Sequence, residues 1–364
     1  MDSNESKSFN VKINQKIYNL LVSDSIDFKV DKINTVINRI FKSFVEEQKK
    51  NNLEDILEKQ LKELLKEKGL KDILSSDKTK KMKELYEILK PLRRQIYPTI
   101  ELKKTSEIKQ LNFRLTTDNT EYFLKCLNTI IPSNSDFFRE CFEWYTRKAK
   151  YEREKILCIE NYKKLKEAIQ SQMIVKILVW RNGKKESYET YPYFILSSPN
   201  ENFNYLLSVD KKTKKIYPTR LSNINRVVLT GELFQKIYER NLTENEMKEN
   251  KIGKKEIDDL DLRIKNHEIT VGERKKIILE LTEEGYNKFK IIVHNRPIQE
   301  ENCKITKHET GYRMEFESTE DAVKYYFLAF GAECKIVQPE KLKENFRKFY
   351  EDASNVYIKN EPEA

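Results

Sequence analysis

Residues 203–224 read FNYLLSVDKKTKKIYPTRLSNI, and the fold of the middle of the chain turns on how this stretch is read. Asn204 to Asp210 is dominated by apolar and aromatic residues, which predicts a strand. Lys211 to Lys215 is polar enough to turn the chain, and Lys214 to Thr219 is expected to return as the next strand. Outward from there, Met173 to Trp180 is another strand run, Arg181-Asn182-Gly183-Lys184 a hairpin turn, Lys185 to Tyr191 a second strand and Tyr193 to Leu196 a third. Five short strands at this spacing predict a small, strongly bent sheet or partial barrel. By strand alternation about half of its aromatic rings should point inward, Phe194 and Phe203 first among them.

The same region carries most of the positive excess. The 364-residue chain has a formal net charge of +10, which suits a polyanionic partner, although a Lys-rich composition alone would also give it. From Gln172 to Gly231 ten Lys and Arg face four Asp and Glu, a net of +6. From Glu273 to Ala364 sixteen basic residues meet eighteen acidic ones, a net of −2. Tyr188, Tyr191, Tyr193, Phe194, Phe203, Tyr205 and Tyr217 interleave with the bases of the sheet region. Aromatic rings beside Arg are stacking platforms for unpaired bases, at ~1–3 kcal/mol per base.

Other function classes fall by elimination. The three histidines, His267, His294 and His308, are not at metal-ligand spacing. The HExxH, Walker A, GxSxG and GxGxxG patterns are absent, so neither an enzyme nor a metal or cofactor site is expected. Five cysteines with no CxxC pair read as reduced thiols of a cytoplasmic protein. The polar start MDSNESKSFN has no signal-type apolar region, and no apolar run approaches the ~20 residues of a membrane span, so no membrane partner is expected.

An internal repeat organises the N-terminal part. Phe9 to Ile13 alternates apolar and polar residues, and Leu111 to Leu115 does the same. Phe9, Val11 and Ile13 match Leu111, Phe113 and Leu115, while Asn10 and Lys12 match Asn112 and Arg114. Helices follow each strand: about 15–23 and 31–48 after the first, about 120–130 and 135–170 after the second, with Ser135 a plausible N-cap. Between the copies, residues 49–110 read as a charged helical hairpin with an apolar stripe through Leu57, Leu61 and Leu64. The strand–helix–helix unit resembles the ribbon-helix-helix family, in which two short strands pair as an antiparallel ribbon. That resemblance implies that Asn10, Lys12, Asn112 and Arg114 face outward together, where such residues read duplex DNA.

After a polar helix and linker (241–272), the last region reads strand, helix, strand, strand, helix, strand and a final helix. This is the βαββαβ order of a ferredoxin-like unit. The domain plan is therefore 1–170, 171–240, linker 241–272 and 273–364, in an α+β chain.

The stretch from Ile174 to Phe234 is similar to a WYL domain. It carries Pro192, then Asn204-Tyr205-Leu206, then Arg220-Leu221-Ser222-Asn223-Ile224. Asn204 stands where the family has Trp, and Asn223 where it has a second basic residue, with Arg226 nearby. The C-terminal segment, with Phe330-Gly331 and Pro339-Glu340-Lys341-Leu342, resembles the extension that follows WYL domains. The combination with ribbon-helix-helix-like units resembles the WYL accessory proteins of type VI-D CRISPR systems. It implies a non-enzymatic, homodimeric protein that binds single-stranded RNA and stimulates an RNA-guided nuclease. The alternative is a transcriptional regulator that binds DNA through the ribbon and senses a nucleotide-like ligand. The family motif carries over to Tyr205, as a stacking or hydrogen-bonding group, and to Arg220, as a partner for phosphate or a base edge. Arg181, Tyr193 and Arg226 join them as candidates by charge and proximity in the pattern.

Overall fold

The computed structural model describes residues 7–50, 107–124, 133–181, 184–198, 201–298 and 300–358. The expected helical hairpin at 49–110 lies almost entirely outside the described residues. The chain divides into two compact units, Met1–Glu160 and Asn161–Ala364.

In the first unit β1 (Ser8–Asn14) and β2 (Ile108–Arg114) form a two-stranded antiparallel ribbon within one chain. The register pairs Asn10 with Asn112, Phe9 with Phe113 and Val11 with Leu111. In the sequence repeat Asn10 and Asn112 are equivalent positions. A residue that pairs with its own equivalent lies on a local two-fold axis, so the ribbon has pseudo-two-fold symmetry centred on this asparagine pair. Phe9, Val11, Ile13, Leu111 and Phe113 are buried, while Asn10, Lys12, Asn112 and Arg114 are exposed, as period-two alternation requires.

The buried ribbon face rests on α1 (Gln15–Asp27), α2 (Ile33–Lys50), α3 (Thr117–Tyr122) and α4 (Asn134–Arg147). Phe138 of α4 meets both strands, with ring centroids 4.7 Å from Phe9 and 4.8 Å from Phe113. Asn34 and Asn38 of α2 hold the end of β2: Arg114 N–H donates to Asn34 Oδ1 at 2.8 Å, and Asn38 Nδ2 donates to the Arg114 carbonyl at 2.9 Å.

The long helix expected over 135–170 is three helices: α4, α5 (Lys150–Leu157) and α6 (Ile159–Ser171). Lys148 and Ala149 take extended backbone, and Glu152 accepts the Ala149 N–H at 2.8 Å to restart the helix. Ser133, not Ser135, is the N-cap of α4; its hydroxyl accepts the Asp136 N–H. The break turns Arg153 onto Asp24. Arg153 Nε and Tyr145 Oη each donate to Asp24 Oδ2 at 2.7 Å, and Asp24 is only 1% exposed. Burial, reinforced by Asp24, pushes the Tyr145 hydroxyl far above its ordinary pKa.

The second unit opens on a five-stranded antiparallel sheet in the order β6-β5-β4-β3-β7. Its strands are β3 (Met173–Arg181), β4 (Lys184–Ser198), β5 (Phe203–Asp210), β6 (Thr219–Arg220) and β7 (Ile224–Leu233). The strands expected at 185–191 and 193–196 are one long strand, β4. Pro192, which has no N–H to give, sits at a β-bulge between Pro192 and Phe194. The strand expected at 214–219 shrinks to the two residues of β6 plus a bridge between Val209 and Ile216.

β6 and β7 occupy opposite edges of this sheet, yet only the 3₁₀ turn Leu221–Asn223 connects them. A flat sheet would separate those edges by about 19 Å at ~4.8 Å per strand. One 3₁₀ turn rises only about 6 Å. The sheet must therefore curl until its edges approach, which makes it a partial barrel. The edge strand β7 is tied to α6, where Asn161 Nδ2 donates to the Ile224 carbonyl at 2.7 Å and Asn161 Oδ1 accepts the Val227 N–H at 3.2 Å.

Residues 241–272, expected as a polar helix and linker, carry β9 (Lys251–Ile252), which pairs with β8 (Gln235–Lys236), and α7 (Lys254–Lys265). Ile252, Ile257 and Leu260 pack with Tyr191, Leu196, Leu207 and Val209 in the core of the sheet. Spacing of Ile257, Leu260 and Ile264 along an otherwise charged helix is what makes one buried stripe.

The rest of the unit is β10 (Arg274–Leu281), α8 (Glu283–Ile291), β11 (Lys304–His308), β12 (Gly311–Thr319), α9 (Glu320–Phe327), β13 (Cys334–Gln338) and α10 (Glu340–Ile358). The four strands make an antiparallel sheet in the order β11-β12-β10-β13. Phe289, Phe316, Phe327, Phe330, Leu342 and Phe346 build its core. Of the aromatic run Tyr325-Tyr326-Phe327, Tyr326 and Phe327 are buried and Tyr325 is exposed.

Candidate nucleic-acid interface

Tyr205 and Arg220 are direct partners across β5 and β6. Directly opposite residues of an antiparallel pair project to the same side. The guanidinium carbon of Arg220 lies 3.1 Å from the centroid of the Phe203 ring, two residues before Tyr205 and so on the same side. Tyr205 Oη donates to Glu201 Oε2 at 2.6 Å. The alternate residues of β5 turn the other way: Asn204 and Leu206 are fully buried, and Asn204 Oδ1 accepts from Ser197 Oγ at 2.9 Å. The site thus places two aromatic residues and a planar cation on one side of a two-residue edge strand, with Phe203 against the guanidinium. Such a group stacks on bases through its rings and forks onto phosphate through its guanidinium.

The other candidates are dispersed. Tyr193 sits at the bulge and belongs to the α7 side, where Tyr193 Oη donates to Asp261 Oδ1 at 2.7 Å and the Lys236 ammonium lies 4.1 Å from its ring centroid. Burial first, and Asp261 second, push its hydroxyl pKa well up. Arg226 is exposed on β7, at the opposite edge of the sheet order from Arg220. Arg181 ends β3 as the partner of Lys184 at the start of β4. Asn10, Lys12, Asn112 and Arg114 belong to the ribbon of the first unit, where Arg114 Nε donates to Ser8 Oγ at 3.0 Å.

Two expectations about the sheet need correction. Phe194 is not core; it is 41% exposed, because the bulge beside it breaks the alternation. Phe203 is only half-buried and serves as the platform for Arg220. Nor is the counted positive charge all available. Lys211 is paired with both Glu189 (2.9 Å) and Glu232 (3.1 Å), chiefly the first, and its pKa is raised. Lys214 donates to Tyr191 Oη at 3.0 Å and to the carbonyls of Glu249 and Lys251. Lys212, Lys215, Lys176 and Lys184 are exposed.

Among the described residues no cluster of three or more His, Cys, Asp or Glu could hold a metal ion, and no helix is long and apolar enough to cross a membrane. The cysteines Cys141, Cys158, Cys303 and Cys334 form no disulfide.

No known protein family and no curated protein matches the chain. Among solved structures it is similar to one described as a CRISPR Cas-related protein, at 19% identity and a TM-score of 0.66, over 98% of this chain and 96% of that one. At that identity the likeness shows a shared mixed α and β fold. A proteasome accessory factor B/C of Arthrobacter aurescens also aligns, at 12% identity and a TM-score of 0.28, over 68% of this chain and 37% of that one.

Proposed function

We propose that this protein is a non-enzymatic, single-stranded RNA-binding accessory protein that stimulates a type VI-D CRISPR RNA-guided nuclease. It would combine a ribbon-helix-helix unit, a WYL domain over the five-stranded sheet and a ferredoxin-like WYL extension, and act in the cytoplasm as a homodimer. The observation that carries the reading is the Tyr205–Arg220 pair, with Phe203 beneath the guanidinium. Stacking rings beside a forked cation suit a flexible strand with unpaired bases better than a duplex, whose bases are already stacked. The fold shared with a CRISPR Cas-related protein over nearly the whole chain supports the CRISPR assignment.

A second reading, a DNA-binding regulator, draws on the ribbon, whose symmetric Asn10–Asn112 centre and exposed Lys12 and Arg114 suit a two-fold duplex site. A competition titration separates the two. Under the RNA reading, single-stranded RNA outcompetes duplex DNA, Arg220→Ala weakens RNA binding about tenfold or more, and Asn10→Ala with Arg114→Ala changes it less than about twofold. The reverse pattern selects the regulator. Addition of the protein to a guide-loaded nuclease should raise its RNA cleavage rate; no change refutes the accessory role. Elution at monomer size at micromolar concentration refutes the homodimer.

A further inference from the structure

One face of the five-stranded sheet is covered at one end and open at the other. Along β3, alternation puts Ile174, Lys176, Leu178 and Trp180 on this face, and on β4 Tyr191, Glu189, Ser187 and Lys185 continue it. Ile174 and Tyr191 are fully buried, because Ile252 of β9 and Ile257 and Leu260 of α7 pack on their end. The other end lies in solvent. Trp180 there is 41% and Val228 42% exposed, and Lys176, Lys185 and Arg226 are exposed beside them.

On this open end each apolar side chain has a cation as its direct cross-strand partner. Trp180 pairs with Lys185, Leu178 with Arg226, and Val228 with Lys176. Such partners project to the same side, and the Lys185 ammonium lies 5.0 Å from the Trp180 ring centroid. Glu189, opposite Lys176 on β4, is held by Lys211 at 2.9 Å, which it shares with Glu232 at 3.1 Å. Even with both carboxylates set against Lys211 and the three exposed cations, this end stays positive by two. The core of a protein–protein interface is poor in charge. A nucleic-acid strand instead alternates flat bases with phosphates, and apolar surface paired residue by residue with cations complements that alternation.

We infer that the open end of this β3–β4–β7 face is a second contact for single-stranded RNA, with Trp180 stacking on a base and Lys176, Lys185 and Arg226 holding the phosphates beside it. The inference rests on the RNA reading above and adds to it a contact separate from the Tyr205–Arg220 edge. The test titrates the full chain into labelled single-stranded RNA and follows anisotropy over a range of salt. Trp180→Ala should weaken binding about fivefold or more, and Trp180→Phe, which keeps a ring, should restore most of it. Lys176→Ala and Arg226→Ala, both at exposed positions, should each flatten the salt slope by about 0.7. Full affinity in Trp180→Ala, with Arg220→Ala weakened, overturns the second contact and leaves the RNA reading intact. Should Trp180→Ala fail to fold, the Lys176→Ala and Arg226→Ala slopes decide, and unchanged slopes overturn the contact. Loss with Trp180→Ala and none with Arg220→Ala keeps this contact and removes the Arg220 edge. A Trp180→Ala protein that binds RNA fully but no longer stimulates the nuclease overturns the inference and gives the face to a protein partner. Wild-type protein that holds no RNA refutes this contact and the RNA reading together.

Discussion

The two sheets that carry the candidate binding groups are built on opposite plans. The ribbon of the first unit is symmetric, two strands of a repeat paired about Asn10 and Asn112, with polar Asn10, Lys12, Asn112 and Arg114 facing outward. The sheet of the second unit is asymmetric, and its candidate chemistry gathers at the β5–β6 edge, where Tyr205, Arg220 and Phe203 share one side. A symmetric polar strip complements a symmetric partner. An asymmetric edge of two aromatic residues and one guanidinium fork complements a strand with direction. Counted charge points to the sheet as the nucleic-acid surface, but Lys211 and Lys214 are spent on its own architecture. The cations a structure presents, rather than those a sequence contains, set the affinity.

The largest expected effect breaks the ribbon unit alone. Asp24→Ala leaves the buried guanidinium of Arg153 and the Tyr145 hydroxyl without their shared acceptor. Removing one partner of a buried pair costs about 3–5 kcal/mol. Trp144 reports on the first unit and Trp180 on the second, so single-tryptophan variants followed in urea show which unit loses stability. The Trp144 transition should move to lower denaturant. An unmoved Trp144 transition would mean that the Asp24 network contributes nothing.

The next effect sharpens the asymmetric side. Arg220→Lys keeps the charge but loses the planar group that covers Phe203 and forks onto phosphate. RNA binding should fall about three- to tenfold, between wild type and Arg220→Ala. Recovery of full affinity with Lys would show that Arg220 acts as a point charge, which removes the stacking argument for this edge.

Much of this was legible in the sequence, for reasons that can be named. The ribbon was, because its repeat aligns Asn10 with Asn112 and its period-two alternation decides which face is buried. Tyr205 and Arg220 were singled out by the resemblance, but their pairing across two strands was not legible, because the strand expected at 214–219 stops short of Arg220. The split of 135–170 into three helices was not, since Lys148 and Ala149 contain no Pro or Gly and the break is sustained by tertiary bonds to Asp24. Phe194 was misjudged because a bulge shifts the face of every later residue in a strand. A polar helix was expected before the last region, but its place in the sheet core was not legible because its charge hides a three-residue apolar stripe.

A smaller effect tests the distinction between counted and presented charge. Lys212→Ala and Lys215→Ala remove exposed cations, and each should reduce the salt slope of RNA binding by up to about one. Lys211→Ala removes a cation already held by Glu189 and Glu232, and should leave that slope nearly unchanged. Equal slopes for all three would show that the paired lysine reaches the strand after all.

The smallest effect is a pH dependence of the sheet. Tyr191 is fully buried, and burial raises its hydroxyl pKa from 10.0 to about 12, against the opposing influence of Lys211 and with the support of Glu189, Glu232 and Asp210. A raised pKa means that the folded state holds its proton longer than the unfolded chain does. The stabilisation is therefore complete below pH 10 and is lost as the pH rises from there toward about 12, by at most ~1.4 kcal/mol per pH unit. Melting followed through Trp180 should show this alkaline decline, and Tyr191→Phe, which has no proton to release, should shed Tyr191's share of it. Identical alkaline slopes in the two proteins would mean that the hydroxyl ionises as readily in the folded sheet as in the unfolded chain, and that water reaches the core beneath α7.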